Sequence, residues 1–212
     1  MRIAVLGAGA VGLSTAGRLA VLGHETLVID KDARRIASLC NGRLPFVEPG
    51  LEALLTAAAV AGNLEYGVDA ASGLRGMQAC LIAVGTPEKH GEPSPVLVRH
   101  AAEECARFAP GDCLAVIRSS LMVGSCAALE ALHGREFVPH PEMAVRGQLA
   151  QKPARLLAGT LRRPSRDMLS RIYAELAPVA FAPPHEVELR GFSDFRRARD
   201  METETEALRL RA

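Results

Sequence analysis

The first thirty residues, MRIAVLGAGAVGLSTAGRLAVLGHETLVID, leave few folds open. RIAVLG reads as a strand, AVGLSTAGRLAVLG as a helix, and TLVID as a second strand ending in an acid. At the turn lie Gly7, Gly9 and Gly12, spaced G-x-G-x-x-G, with Ala10 and Val11 opening the helix. Each glycine has its own reason there: a tight turn, close approach of a pyrophosphate to backbone, and packing of helix on strand. The helix start presents unpaired N–H groups and a positive dipole end to phosphates. Asp30 stands roughly 20 residues further on, where a carboxylate accepts from ribose hydroxyls and repels a 2′-phosphate. The pattern predicts a dinucleotide cofactor and favours NAD over NADP. Arg34 and Arg35 weaken that preference, because an arginine there pairs with a 2′-phosphate.

The rest of the chain keeps the alternation. Helical stretches over ARRIASLCNG, PGLEALLTAAAVAG, VLVRHAAEECARFA and GSCAALEALHG separate strand-like LEYGV, ACLIAVG, CLAVIRSS and EFVPH. Strands alternating with helices imply crossovers, hence an α/β fold with a doubly wound, mostly parallel, Rossmann-like sheet covered on both faces. RLLAGT, SRDMLSRIYAELA and PVAFAPP add a strand, a helix and a short strand. The expected organisation is a dinucleotide-binding domain over 1–184 and a charged C-terminal helix over 185–212. Val187, Leu189, Phe192, Phe195, Met201, Leu208 and Leu210 recur there at loose helical spacing. That helix is mainly a solvated face and is the element that would pair two chains.

Composition narrows the partners. A formal net charge of +1, two Tyr and no Trp argue against nucleic acid and membrane surfaces and leave a small-molecule substrate. No apolar run reaches membrane-span length. The five cysteines, Cys40, Cys80, Cys105, Cys113 and Cys126, are scattered without a CxxC pair. They read as mostly buried thiols of a reducing compartment, with Cys80 and Cys113 in the core, and not as a metal site. A cytoplasmic location is expected.

Four further stretches occur in order: NGRLPFVEPGLEALL from Asn41, LIAVGTPE from Leu81, AVIRSSLMVGS from Ala115 and VPHPEM from Val138. In order and spacing they resemble the N-terminal domain of the nucleotide-sugar dehydrogenases, the UDP-glucose and GDP-mannose 6-dehydrogenase family. The resemblance covers residues 1–160 well and 161–200 weakly. It implies an NAD-binding domain, a long helix used for dimerisation, and a second domain with most nucleotide-sugar contacts and a cysteine nucleophile. Such enzymes oxidise a sugar alcohol twice, the second time through a thiohemiacetal. By resemblance, Gly7, Gly9, Gly12, Asp30 and Arg35 match cofactor positions. Gly85, Thr86 and Pro87 match a loop lining the nicotinamide side, and Val84 and Ser120 are further cofactor-binding candidates. Ser120 matches a Thr that helps order a catalytic water, and Glu142 matches a Glu that binds substrate and assists proton transfer.

The departures point elsewhere. Ala10 replaces a Tyr, Arg146 replaces a second Glu, Ser94 stands for an Asp, and His140 stands for an Asn. A catalytic Lys and Asn fall at Arg190 and Asp194, and Arg cannot exchange protons near neutral pH. None of the five cysteines matches the nucleophile. The expectation is therefore an NAD-binding oxidoreductase-like protein, truncated relative to the family. It would make one hydride transfer between an alcohol and a ketone or aldehyde and would be unable to make the second oxidation. Ser120, His140 and Glu142 are the catalytic candidates. A non-redox cyclase, isomerase or accessory protein of a biosynthetic pathway on the same scaffold, using Glu142 or His140 for acid–base chemistry or no such chemistry, is the alternative.

The same residues carry plainer readings. Ser120 would cap a helix beginning near Val123, with Ser125 competing for that job. His140 would bond its ring to backbone, and Glu142 would orient His140 or pair with Arg146. Glu48 would cap a helix whose first position is Pro49.

Overall fold

The computed structural model describes residues 1–89, 92–142 and 147–209, the last stretch from 199 as helical backbone alone. A six-stranded sheet forms the centre, in the order β3-β2-β1-β4-β7-β8. Its strands are β1 (Arg2–Leu6), β2 (Glu25–Ile29), β3 (Leu64–Gly67), β4 (Ala79–Ile82), β7 (Leu114–Ile117) and β8 (Phe137–Pro139), and every pairing is parallel. Strands β4 and β7 are buried along their whole length, as near-continuous apolar runs demand when helices cover both faces. The expected doubly wound α/β architecture is the one observed.

Helices α1 (Ala10–Val21), α2 (Ala33–Cys40), α3 (Leu51–Val60) and α7 (Arg163–Ile172) cover one face, where Ile3, Val5, Leu13, Leu19, Ile36, Leu55 and Leu169 share a core. The short α4 (Ala70–Gly73), α5 (Val96–Phe108) and α6 (Ser125–His133) cover the other, around Ala4, Leu6, Ile82, Val98, Ile117 and Leu129. The strand order reverses between β1 and β4. In such sheets the ligand crevice lies at the carboxyl ends of the strands flanking that point. Register places those ends together: Leu6 sits opposite both Ile29 and Ile82, and the Ala83 N–H donates to the Leu6 carbonyl at 2.8 Å.

A second parallel pair, β9 (Leu156–Gly159) with β10 (Val179–Ala182), follows. The helix expected over 165–177 instead starts at Arg163 with Pro164 in its first turn and stops at Ile172, where turns centred on Tyr173 take over. The sequence reading missed α4 and the small hairpin of β5 (Glu88–Lys89) and β6 (Glu92–Pro93), because such short elements carry no periodicity.

The last helix, α8, runs Pro184–Arg209. Val187 and Glu188 are buried, and α8 lies on β8 and β9. Two glycines allow that approach. A Cβ on Gly159 would come 2.9 Å from Pro184 Cα, and one on Gly191 would come 2.6 Å from Pro141 Cγ. The start of α8 is therefore packed into the domain, while Leu189 is exposed. Leu210 lies outside the described residues.

Candidate functional site

The glycine turn is built as its spacing requires. Gly7 has φ +106°, and a Cβ there would lie 2.7 Å from the Ala83 carbonyl oxygen. A Cβ on Gly12 would lie 1.9 Å from the Gly7 oxygen, so α1 can sit on β1 only without one. Gly9 differs: its φ is −86° and a Cβ would meet nothing within 4 Å. No protein atom crowds that position, so the backbone there stands open at the start of α1, as close approach of a pyrophosphate requires. Gly9 is also the N-cap of α1 and brings no side-chain cap, and the first turn of α1 has no acidic residue. The first-turn amides, including those of Ala10 and Val11, therefore have no side-chain acceptor. The arrangement fits a pyrophosphate.

Around this turn lies a cleft of about 730 Å³, lined among others by Gly7, Gly9, Ala10, Asp30, Arg35, Val84 and Gly85. Asp30 closes β2. Its Oδ2 accepts from the Ala8 N–H at 2.7 Å and from Arg35 Nη1 at 2.8 Å, and its Oδ1 accepts from the Asp32 N–H at 2.9 Å. Burial alone would raise the Asp30 pKa, but the two amides and the Arg35 guanidinium outweigh it and hold the carboxyl below its usual range. Asp30 is thus a fixed anion at the end of β2, and Arg35 is tied to it. Val11, Gly12, Thr86 and Pro87 do not line this cleft.

Ser120 is buried after β7 and lines neither this cleft nor the second cavity described next. Its neighbour Ser119, which the sequence reading passed over, donates from Oγ to the Val84 carbonyl at 2.6 Å and ties the β4 exit to the β7 exit.

A second cavity of about 560 Å³ is lined by Arg118, His140, Glu142, Arg155, Arg190 and Asp194, with apolar residues of β9, β10 and α8. The candidates His140 and Glu142 therefore meet the matched positions Arg190 and Asp194 across 50 residues of sequence. Glu142 sits between two arginines. Arg18 Nη2 of α1 donates to its Oε1 at 2.6 Å, and Arg118 Nη2 contacts its Oε2. Both guanidiniums are buried, and Arg118 Nη1 also donates to the His140 carbonyl at 3.1 Å. Glu142 therefore pairs with Arg18 and Arg118. Arg146, the partner considered from sequence, lies outside the described residues.

His140 is 1% exposed. Its Nδ1 lies 2.6 Å from the Leu157 carbonyl, which can only accept, so Nδ1 carries the proton and Nε2 does not. Burial, with the nearby Arg118 charge, pushes its pKa well below 6.5, so the ring is neutral at ordinary pH. The Tyr173 ring packs against it at 5.3 Å between centroids.

Two capping expectations are corrected. Neither Ser120 nor Ser125 caps α6. Its N-cap is Gly124, and Ser125 Oγ donates instead to the Met122 carbonyl. The buried Glu188 carboxylate of α8 takes the Gly124 and Cys126 N–H groups, each at 2.7 Å. Glu48 does not cap α3 either, and Pro49 is not its first residue, since α3 starts at Leu51 after Gly50. Glu48 instead accepts from the Gly147 and Leu149 N–H groups at 3.0 Å, pinning a distant loop. Cys80, Cys105, Cys113 and Cys126 are buried and Cys40 is exposed. Burial pushes the Cys113 thiol up to about 12 and Cys126 higher still. No cluster of metal-ligating side chains occurs among the described residues. No described helix is long and apolar enough to cross a membrane.

Comparison with known proteins agrees with this geometry. Residues 1–177 match the model of the UDP-glucose/GDP-mannose dehydrogenase family, NAD binding domain. A UDP-glucose 6-dehydrogenase of Pseudomonas aeruginosa is 30% identical over 191 residues, which cover 82% of this chain and 42% of the relative. A GDP-mannose 6-dehydrogenase of Pseudomonas putida is 30% identical over 208 residues, covering 89% and 48%. The chain thus spans about half the length of such relatives. Among solved structures, a UDP-glucose dehydrogenase from Pyrobaculum islandicum superimposes with a TM-score of 0.83 at 29% identity, covering 91% of this chain and 48% of that one. A GDP-mannose dehydrogenase from Pseudomonas aeruginosa, solved as a ternary complex, gives 0.84 at 26% identity, covering 97% and 52%. With a glycine turn open at Gly9, an anionic Asp30 at the end of β2 and a family match over 1–177, this chain belongs to the UDP-glucose/GDP-mannose dehydrogenase family and carries its NAD-binding domain.

Proposed function

We propose that this chain works as an NAD-dependent oxidoreductase that moves a single hydride between an alcohol and a ketone or aldehyde. The observation that carries the reading is the space at Gly9, where a side chain would meet no protein atom, beside uncapped amides of α1. NAD bound there would supply a hydride acceptor. The chain's own residues hold the pyrophosphate at the α1 start and the ribose at Asp30, and Val84 and Gly85 form the wall beyond. Thr86, Pro87 and Ser120 line neither cavity and are given no cofactor contact in this reading. The substrate position is the second cavity. Glu142, fixed by Arg18 and Arg118, orients the substrate. His140 Nε2 accepts a hydrogen bond from the substrate hydroxyl, and burial makes it a weak base.

No cysteine lines either cavity among the described residues, so the proposed chemistry within this domain stops at one hydride. The unit is proposed to act in the cytoplasm on a small molecule and to pair through α8.

One observation favours the accessory-protein form of the non-redox alternative, which needs no acid–base chemistry. The acid–base candidates are already engaged: Glu142 is ion-paired to two buried guanidiniums, and burial lowers the His140 pKa. The two readings separate by experiment. Titration with NADH is expected to show one site per chain, followed by turnover against a panel of small ketones and aldehydes. Binding without turnover of any carbonyl would select the non-redox reading.

A further inference from the structure

The loop that leads into α3 has few bonds of its own. Among the described residues the Leu44, Phe46 and Val47 N–H groups find no backbone acceptor, and Val47 is 97% exposed. Two contacts fix the loop from a distance. The buried Glu48 carboxylate accepts the Gly147 N–H on Oε2 and the Leu149 N–H on Oε1, each at 3.0 Å. Gly50, at φ +76°, lets the same two stretches meet again, since a Cβ on it would lie 3.2 Å from Ala150 Cβ. Leu149 is itself part of the core that Leu13 and Leu19 of α1 share. Amides bound to a carboxylate make the stronger, charge-assisted kind of hydrogen bond. Glu48 therefore ties a sparsely bonded loop to a packed part of the domain.

That loop carries Phe46. Its ring is half-buried, packs against the same core and lines the cofactor cleft, two residues before Glu48. With it in the lining are Asp30 and Arg35 at the β2 end of the cleft and the apolar Pro45, Val68 and Leu97. Phe46 is the only Phe, Tyr or Trp among the described residues that line it. Stacking on an aromatic face is how a heteroaromatic base is held without base-specific hydrogen bonds. We propose that Phe46 is the wall against which the adenine of the dinucleotide lies, and that Glu48 is the positioning residue that holds Phe46 there. The inference rests on the proposed function in placing the adenosine ribose at Asp30, but it stands without hydride transfer.

The test is fluorescence titration with NADH, and displacement of NADH by AMP, on the full chain. The parent, Phe46→Ala, Glu48→Gln and the double variant are compared, each well below its thermal midpoint. Phe46→Ala is expected to weaken both ligands at least about fivefold. Glu48→Gln keeps the side-chain volume but turns an amide group toward one of the two N–H donors, and is expected to weaken both at least about threefold. In the Phe46→Ala background it is expected to add less than about twofold, because the group it positions is gone. A Glu48 that serves stability alone lowers the thermal midpoint and leaves both affinities at the parent value, which overturns its positioning role. A Glu48 loss that multiplies with that of Phe46→Ala overturns it as well. Unchanged binding in Phe46→Ala, which keeps the Glu48 anchor, overturns the inference while the cofactor assignment stands, as does NADH that AMP fails to displace from the parent. A parent that binds neither ligand removes the cleft assignment and the inference with it.

Discussion

Replacing Glu188 by Ala tests whether α8 belongs to the folded domain. Its carboxylate is 3% exposed and accepts the Gly124 and Cys126 N–H groups at 2.7 Å each. The α6 start has no side-chain cap of its own, so nothing else on that helix replaces these bonds. A hydrogen bond to a charged group contributes ~1.5–3 kcal/mol, and loss of a helix cap alone costs ~0.5–2 kcal/mol. Removing both bonds, with water regaining some access to the amides, should cost about 3 kcal/mol. For a chain of this length that lowers the melting midpoint by about 6–12 °C. Glu188→Gln keeps one acceptor oxygen and should cost about half as much. Urea unfolding followed by circular dichroism measures both, with the slope against denaturant unchanged. If Glu188→Ala stays within about 0.5 kcal/mol of the parent, the carboxylate is not the cap of α6 and the packing of α8 on the domain is wrongly understood.

Other consequences follow from the same geometry. Gly12→Ala puts a methyl 1.9 Å from the Gly7 oxygen and should destabilise by at least about 2 kcal/mol in the same urea assay. Gly9→Ala should fold within about 1 kcal/mol of the parent yet lose at least about tenfold in NADH affinity, read by fluorescence titration. Glu142→Gln leaves two buried guanidiniums without a counter-charge and should cost about 3 kcal/mol, part of it regained by adding Arg18→Met. His140 is buried neutral with its pKa lowered, so the unfolded chain takes up a proton that the folded chain refuses. Its contribution is present above pH 6.5 and falls as pH drops below it, by up to about 1.4 kcal/mol per pH unit. His140→Asn should flatten most of that slope, and His24, whose pKa burial also lowers, should account for a remainder of the same sign.

The sheet and the cofactor cleft were readable because their signals are local. Alternating apolar runs set the strand order class, and Gly7, Gly9, Gly12 and Asp30 lie within one strand–helix–strand unit. The resemblance matched Glu142, Arg190 and Asp194 one by one to functional positions, and the fold brings them to one cavity. What stayed hidden is long-range charge pairing. Arg18 looks like an ordinary helix cation until Glu142 meets it 124 residues away. Glu188 looks like one of many charges on α8 until α6 is found without a cap, and Glu48 looks like a local helix cap until it takes two amides of the 147–149 loop. The serines at 120 and 125 were reasonable capping guesses because they sit in the right place, but a carboxylate from 62 residues away occupies that role. Local spacing does not encode such partners.

The most direct test of the account is a side-by-side titration of the purified chain with NADH and NADPH. Asp30, held as an anion and already paired with Arg35, should exclude the 2′-phosphate, so NADH is expected to bind one per chain and at least about tenfold more tightly than NADPH. Equal binding of the two would contradict the role given to Asp30, and binding of neither would contradict the assignment of the cleft.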